Sequence, residues 1–326
     1  MITIRCHDHV QTRGTYVRRA RVPAACVAVA VVLAALSEGL AIHAQGPGLR
    51  FRAGVDVVVL NVTVTDAAKR YVTDLELGDF TILEDGRPQT ITFFRKADIR
   101  MALALLIDSS ASMEQALSTA QEAAIGFVRE LGPSDLASVI DFDSRVQVLA
   151  PFTSERAALD TAIRGTAAGG STAMYNAVYI ALRELAKIRL SDEQENLRRR
   201  AIVVLSDGED TSSLVTFDEM LELAQRSDSV IYTIGLGVDT PGVRRSADPS
   251  FVLTRLAQQT GGRAFFPTQA KELTGVYTDI RNELSSQYLL AYVSTGERSA
   301  RWRGVNVRVS RPGLIVRTRQ GYFAGS

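Results

Sequence analysis

From residue 55 the pattern of apolar and polar positions along the chain becomes that of β-strands. Val58, Leu60, Val62 and Val64 alternate with Val59, Asn61 and Thr63, the period-2 spacing of a strand. Phe80-Thr81-Ile82 and Thr90-Ile91-Thr92-Phe93 flank Glu84-Asp85-Gly86-Arg87, which reads as a hairpin turning at Asp-Gly. No helical period precedes residue 100. The pattern then switches. A continuous apolar run over 101–107 predicts a strand buried on both faces, followed by a helix over 113–131. A strand over 136–142, a short partner over 146–149 and a helix over 154–163 come next. The spacing of Ala173, Ala177, Ile180, Ala181 and Leu185 predicts a long helix over 172–188. Strands over 201–205, 230–234 and 263–266 then alternate with helices over 217–226, 249–259 and 271–286.

Alternating strands and helices imply a mostly parallel sheet covered on both faces, an α/β fold. After residue 286 the β pattern returns, with strands expected over 288–293, 305–309 and 314–319. Neither terminal set of strands can bury an apolar face alone. The expected organisation is an α/β unit, 100–286, inserted in a small β-sandwich built from both chain ends, 45–99 and 287–326.

The first 44 residues differ in kind. Arg5, Arg13, Arg18, Arg19 and Arg21 precede an apolar run over 22–36, with small residues around Ala41 and Ala44. This order describes a secretory signal, with cleavage expected after Ala44. The run is short for a bilayer, which needs about 20 residues; an uncleaved inner-membrane anchor is the alternative. Arg18-Arg19 matches a twin-arginine signal poorly, because Arg21 stands where an apolar residue is preferred. Cys26 lies too early in the run to accept a lipid. The expected location is therefore periplasmic or secreted.

Removal of that segment takes away five of the 37 basic and two of the 36 acidic residues, leaving 32 against 34, a net charge of −2. No nucleic-acid surface is indicated, and Arg198 to Arg200 and Arg244-Arg245 read as solvated loop charges. The same segment holds both cysteines, Cys6 and Cys26, and all three histidines, His7, His9 and His43. The mature chain then has no Cys/His catalysis, no Ser-His-Asp triad, no ordinary zinc site and no disulfide. Its chemistry must come from carboxylates, hydroxyls, lysine or oxygen-bound cations.

Ligands of open α/β sheets bind beyond the carboxyl ends of strands. Three such ends carry oxygen donors: Asp108-Ser109-Ser110-Ala111-Ser112, Gly169-Gly170-Ser171-Thr172 and Ser206-Asp207-Gly208. The set resembles the von Willebrand factor type A domain with its metal-ion-dependent adhesion site, whose motif is D-x-S-x-S with a distant Thr and a distant Asp. Asp108, Ser110, Ser112, Thr172 and Asp207 occupy those positions without substitution. The resemblance covers about 100–284. The flanks, including Thr65-Asp66, Asp79-Phe80, Glu84-Asp85-Gly86 and Gln320-Gly321-Tyr322-Phe323, resemble a bacterial family related to that domain, of acidobacterial type, which implies export but no established activity. The resemblance implies a Rossmann-like domain binding Mg²⁺, with Mn²⁺ or Ca²⁺ as alternatives, and a partner protein that completes the metal's shell with an acidic residue.

The donor chemistry agrees. Mg²⁺ takes six oxygens in octahedral geometry and retains water. The hydroxyls of Ser110, Ser112 and Thr172 add no charge, while Asp108 and Asp207 add at most two negative charges. The competing reading makes Ser112 and Thr172 helix caps and Asp207 a turn residue. Asp143 and Asp210 are either supporting acceptors or ordinary solvated acids. Gly235-Leu236-Gly237-Val238-Asp239-Thr240 lacks the third glycine and the helix of a dinucleotide fingerprint and reads as a plain loop. The sequon at Asn61 lies within a strand and reads as structure, as does Trp302.

Three functions are in contention. The first is an exported, Mg²⁺-dependent protein-binding module for adhesion or assembly, without enzymatic activity, nucleic acid or small-molecule substrate, and touching a membrane only if the leading segment stays uncleaved. The second is a Mg²⁺-assisted hydrolase; a phosphatase of the haloacid dehalogenase type would need a second aspartate where Ser110 stands. The third is a structural envelope protein.

Overall fold

The computed structural model describes residues 57–96, 99–188, 198–237, 249–296 and 301–324. The expected signal segment and the Arg244-Arg245 pair lie outside the described residues. Strand β1 is Val57–Thr65, followed by β2 (Phe80–Glu84), β3 (Arg87–Gln89) and β4 (Ile91–Arg95). The α/β part contains β5 (Met101–Asp108), α1 (Glu114–Arg129), β6 (Leu136–Phe142), β7 (Val146–Thr153), α2 (Arg156–Arg164) and α3 (Met174–Lys187). It continues through β8 (Arg199–Ser206), α4 (Phe217–Arg226), β9 (Val230–Gly235), α5 (Pro249–Gln259), β10 (Ala264–Phe265) and α6 (Leu273–Ser286). The strands β11 (Tyr288–Val293), β12 (Trp302–Val309), β13 (Ile315–Arg317) and β14 (Gly321–Phe323) follow.

The central sheet has the order β10-β9-β8-β5-β6-β7. All its neighbours are parallel except β7, which runs antiparallel to β6. Every residue of β5 is buried, because helices cover both faces. Leu103, Leu105 and Ile107 pack with α1, α2 and α6. Ala102, Ala104 and Leu106 pack with α3, α4 and α5. A strand with two dry faces needs an unbroken apolar run, and that is what 101–107 supplies.

Both chain ends enter both outer sheets. One sheet has the order β13-β1-β11-β4 and the other β14-β12-β2-β3. β1 pairs with β11 from Val57↔Val293 to Val62↔Tyr288, and β2 pairs with β12 from Phe80↔Val309 to Glu84↔Val305. Val58, Leu60 and Val62 meet Ile82, Tyr288 and Tyr292 in one shared core. The molecule is thus a mostly parallel α/β sheet flanked by antiparallel sheets.

Several expected elements differ from the observed ones. The hairpin turns where expected, with Asp85 at φ 47° and Gly86 at φ 79°, but the strand after it does not stay. β3 and β4 separate at Thr90 and join different sheets. β7 runs on to Thr153, past Pro151, because an edge strand does not need the amide that proline lacks. Helices α1 and α6 are each preceded by a 3₁₀ turn, Ala111–Met113 and Ala270–Glu272. Arg199 and Arg200 are not loop charges. They open β8, and Arg199 is 3% exposed. Its guanidinium donates to the side-chain oxygen of Asn61 and to the carbonyls of Leu284 and Gln287, which ties β1 to the end of α6.

Candidate metal centre

Asp108 is the last residue of β5 and is fully buried. One carboxylate oxygen accepts the Ser110 amide at 2.9 Å, and the other accepts the Ser206 hydroxyl at 2.6 Å. The chain then turns tightly through Ser110, whose hydroxyl lies 3.0 Å from that of Ser112. Ser110 is buried and Ser112 exposed, so the pair leads from the interior to the surface.

The Gly169–Thr172 segment is laced to this turn by backbone hydrogen bonds, and the Ser206–Gly208 segment reaches it through the Ser206 hydroxyl. Gly169 N donates to Ser109 O at 2.7 Å, and Ala111 N donates to Gly170 O at 3.2 Å. Ala173 N donates to Asp143 O at 2.8 Å. Thr172 is 4% exposed; its amide donates to the Thr211 hydroxyl, and its carbonyl accepts the amides of Thr211 and Ser212. Asp207 is half-buried and accepts the Glu209 amide at 3.2 Å. The turn below it requires Gly208, at φ +84° with Pro249 Cβ only 2.7 Å from where a Cβ would sit.

The capping interpretation fails for both hydroxyl residues. Ser112 lies inside the 3₁₀ turn Ala111–Met113, and α3 begins after Ala173 with no side-chain cap of its own. Its free amides are satisfied from the neighbouring loop instead. Tyr175 N donates to Asp210 Oδ1 at 3.1 Å, and Asn176 N donates to the Ser213 hydroxyl at 3.0 Å. Asn176 Oδ1 in return accepts the amides of Leu214 and Val215. Asp210 is therefore a structural acceptor rather than a solvated acid. Asp143 holds its own turn by accepting the Arg145 amide. Sequence reasoning missed Ser206, although its place before Asp207 in Ser206-Asp207-Gly208 was the available signal.

The electrostatics favour a cation. Burial pushes the Asp108 carboxyl up to about 6, against the hydrogen bonds from Ser110 and Ser206, and the charge of Asp207 adds to the rise. Two carboxylates thus act on each other inside a site rimmed by neutral hydroxyls. The hydroxyl spacing also fits. Adjacent corners of an octahedron with bonds of about 2.1 Å lie about 3.0 Å apart, the separation of the Ser110 and Ser112 oxygens. Asp108, Ser110, Ser112, Thr172 and Asp207 are a donor set that suits a hard divalent ion.

Comparison with known proteins bears on the same region. No curated protein matches the chain. Among solved structures, the chain is similar to a von Willebrand factor type A protein from Catenulispora acidiphila, at 14% identity and TM-score 0.49, over 82% of this chain and 74% of that one. It is similar to an aerotolerance-related membrane protein from Bacteroides fragilis, at 18% identity and TM-score 0.45, over 56% and 98%. It is also similar to the domain of the type V pili tip protein Mfa5 from Porphyromonas gingivalis, at 14% identity and TM-score 0.46, over 57% and 94%. The family model of the von Willebrand factor type A domain matches residues 103–209, a span that begins in β5 and includes all five candidate ligands. Residues 103–209 thus match the von Willebrand factor type A domain, and the α/β unit has a fold like that domain's.

Proposed function

We propose that the protein is an exported, Mg²⁺-dependent binding module that captures a carboxylate of a partner protein. Domains of this family typically mediate protein–protein interactions. The observation that carries the metal reading is the 3.0 Å pair of hydroxyls beside the buried Asp108 carboxylate. Ser110, Ser112 and Thr172 would serve as neutral donors, and Asp108 and Asp207 as the charged ones. A bound Mg²⁺ would supply a Lewis-acidic position for an incoming carboxylate. Ser206 holds Asp108 in its orientation, and the backbone lacing of Ser109, Gly169 and Thr172 keeps the three segments in register.

This reading leaves the protein without catalysis of its own. Export follows from the basic and apolar leading segment, and no helix of the described residues is long and apolar enough to cross a membrane.

The test is capture of a partner from envelope extract in Mg²⁺, in EDTA and in raised salt. Release in EDTA, recovery on adding Mg²⁺ and weak sensitivity to salt are expected, because a direct metal–carboxylate contact is poorly screened. Asp108→Ala and Asp207→Ala should lower Mg²⁺ affinity in calorimetric titration while the fold persists. Complexes that survive EDTA but dissociate in salt would show a surface-charge interface and overturn the metal bridge.

A further inference from the structure

Asp141, the acid within β6, belongs to none of the three segments that carry the candidate ligands. In the parallel pairing of β5 with β6 it stands opposite Ile107, and Phe142 opposite Asp108. Neighbouring strands lie about 4.8 Å apart, and side chains alternate between the two faces. Ile140, Phe142 and Leu106 pack on the α3 side of the sheet, and Asp108 follows Leu106 there. Val139 and Ile107 pack on the α1 side, which Asp141 shares. Its carboxyl meets the Ser109 hydroxyl. The turn that carries Ser110 and Ser112 therefore has Asp108 on one face of the sheet and Asp141 on the other.

This is an unfavourable place for a carboxylate. Asp141 Oδ1 is buried and has no hydrogen-bond partner. Burial pushes the carboxyl above its ordinary range, against the hydrogen bond with Ser109, and the charge of Asp143 adds to the rise. The neighbouring charge that acts on it is thus another acid's. Asparagine would fill the same volume, keep an acceptor for Ser109 and carry no charge to desolvate. What asparagine would not supply is the charge itself. A buried orphan oxygen of this kind points to a functional role or an ion nearby.

We infer that Asp141 is a third, non-coordinating carboxylate of the candidate metal centre, whose charge beneath the Ser109–Ser112 turn raises the affinity for a divalent cation. This role rests on the metal reading of the same site. A carboxylate that ligates nothing takes no corner of the octahedron, so it attracts the ion and leaves the partner's position open. The ion in return offsets the repulsion among Asp108, Asp141, Asp143 and Asp207.

The probe is magnesium chloride, titrated calorimetrically into the full chain at neutral pH and constant ionic strength. The unmodified protein is compared with Asp141→Asn and Asp141→Glu. Affinity should fall about tenfold in Asp141→Asn, and stay within about threefold in Asp141→Glu, which keeps the charge. In EDTA the Asp141→Asn protein should melt above the unmodified one, because it buries no unpaired charge, and added Mg²⁺ should narrow that gap. No Mg²⁺ binding by the unmodified chain would overturn the metal reading and this role with it. Equal binding by the unmodified chain and Asp141→Asn would overturn the role of Asp141 alone and leave the metal reading standing. Equal weakening in Asp141→Asn and Asp141→Glu would make the residue a prop for the Ser109 turn, and would overturn the inference. So would an Asp141→Asn protein that fails to fold or melts lower in EDTA, since the carboxylate would then be needed by the fold itself.

Discussion

Asp108 is a carboxylate that solvent does not reach, and its surroundings decide its protonation. Its pKa in the fold is pushed up to about 6, first by burial, against about 3.9 in an unfolded chain. A carboxyl raised in this way favours folding while it is protonated. That contribution is complete below about pH 4 and is lost as the pH rises through about 6. A shift of that size corresponds to roughly 3 kcal/mol between the two ends of the window. In EDTA the melting temperature of the unmodified protein should therefore fall between pH 4 and 7 relative to Asp108→Asn. Adding Mg²⁺ at pH 7 should narrow the gap. Equal pH profiles of the two proteins in EDTA would contradict a strained, cation-seeking carboxylate. Ser206 belongs to the same scale. Ser206→Ala removes the donor to Asp108 and the acceptor of the Gly208 amide, and should cost about 1–3 kcal/mol, read from chemical denaturation.

At the scale of elements, the loop after β8 and the start of α3 support each other. Asp210 and Ser213 accept the first free amides of α3, and Asn176 accepts two amides of the loop. Thr172 lies at the start of this lacing and Asp207 just before it, so the two candidate ligands share one support. Asp210→Ala should cost about 1 kcal/mol, the usual effect of losing a cap. It should also speed hydrogen exchange at the Tyr175 amide, and lower Mg²⁺ affinity without touching a ligand. Unchanged exchange at Tyr175 would mean that the loop holds its shape without Asp210.

At the scale of the molecule, the sandwich and the α/β unit are joined by buried charge. Glu283, on α6, is 1% exposed. It accepts the Tyr232 hydroxyl of β9 at 2.6 Å and pairs with Arg317 of β13. Gln287 donates to both Thr63 of β1 and Tyr232. Glu283→Ala leaves the Tyr232 hydroxyl without its acceptor and the partly exposed Arg317 without its partner, and should destabilise by about 1–3 kcal/mol in equilibrium unfolding. A chain ending at Ser286 loses β11, the neighbour of both β1 and β4, and exposes the apolar face of Val58, Leu60 and Val62. It should elute as aggregate in size-exclusion chromatography; a stable monomer would show that the α/β unit folds without the C-terminal strands.

Much of this was legible along the chain, for local reasons. A strand covered on two faces must be apolar throughout, so 101–107 announced the centre of the sheet. Alternation at Val58 to Val64 marked a strand, and Asp85-Gly86 marked the turn between β2 and β3. The oxygen donors at three strand ends could be read from residue type and position. Other features had no local signal. Thr90 carries nothing to say that β3 and β4 enter different sheets, because strand partners are chosen by the shared core. Pro151 looks like a breaker until β7 is known to lie at an edge. Arg199 reads as a solvated charge until the carbonyls of Leu284 and Gln287, some 85 residues away, are placed around it. The sequence alone determined the elements and the kinds of ligand atom, because periodicity and donor chemistry are properties of neighbouring residues. Tertiary structure alone decided which strands pair, how deeply Asp108 is buried and that the Ser206 hydroxyl holds it, because those depend on residues that only folding brings into contact.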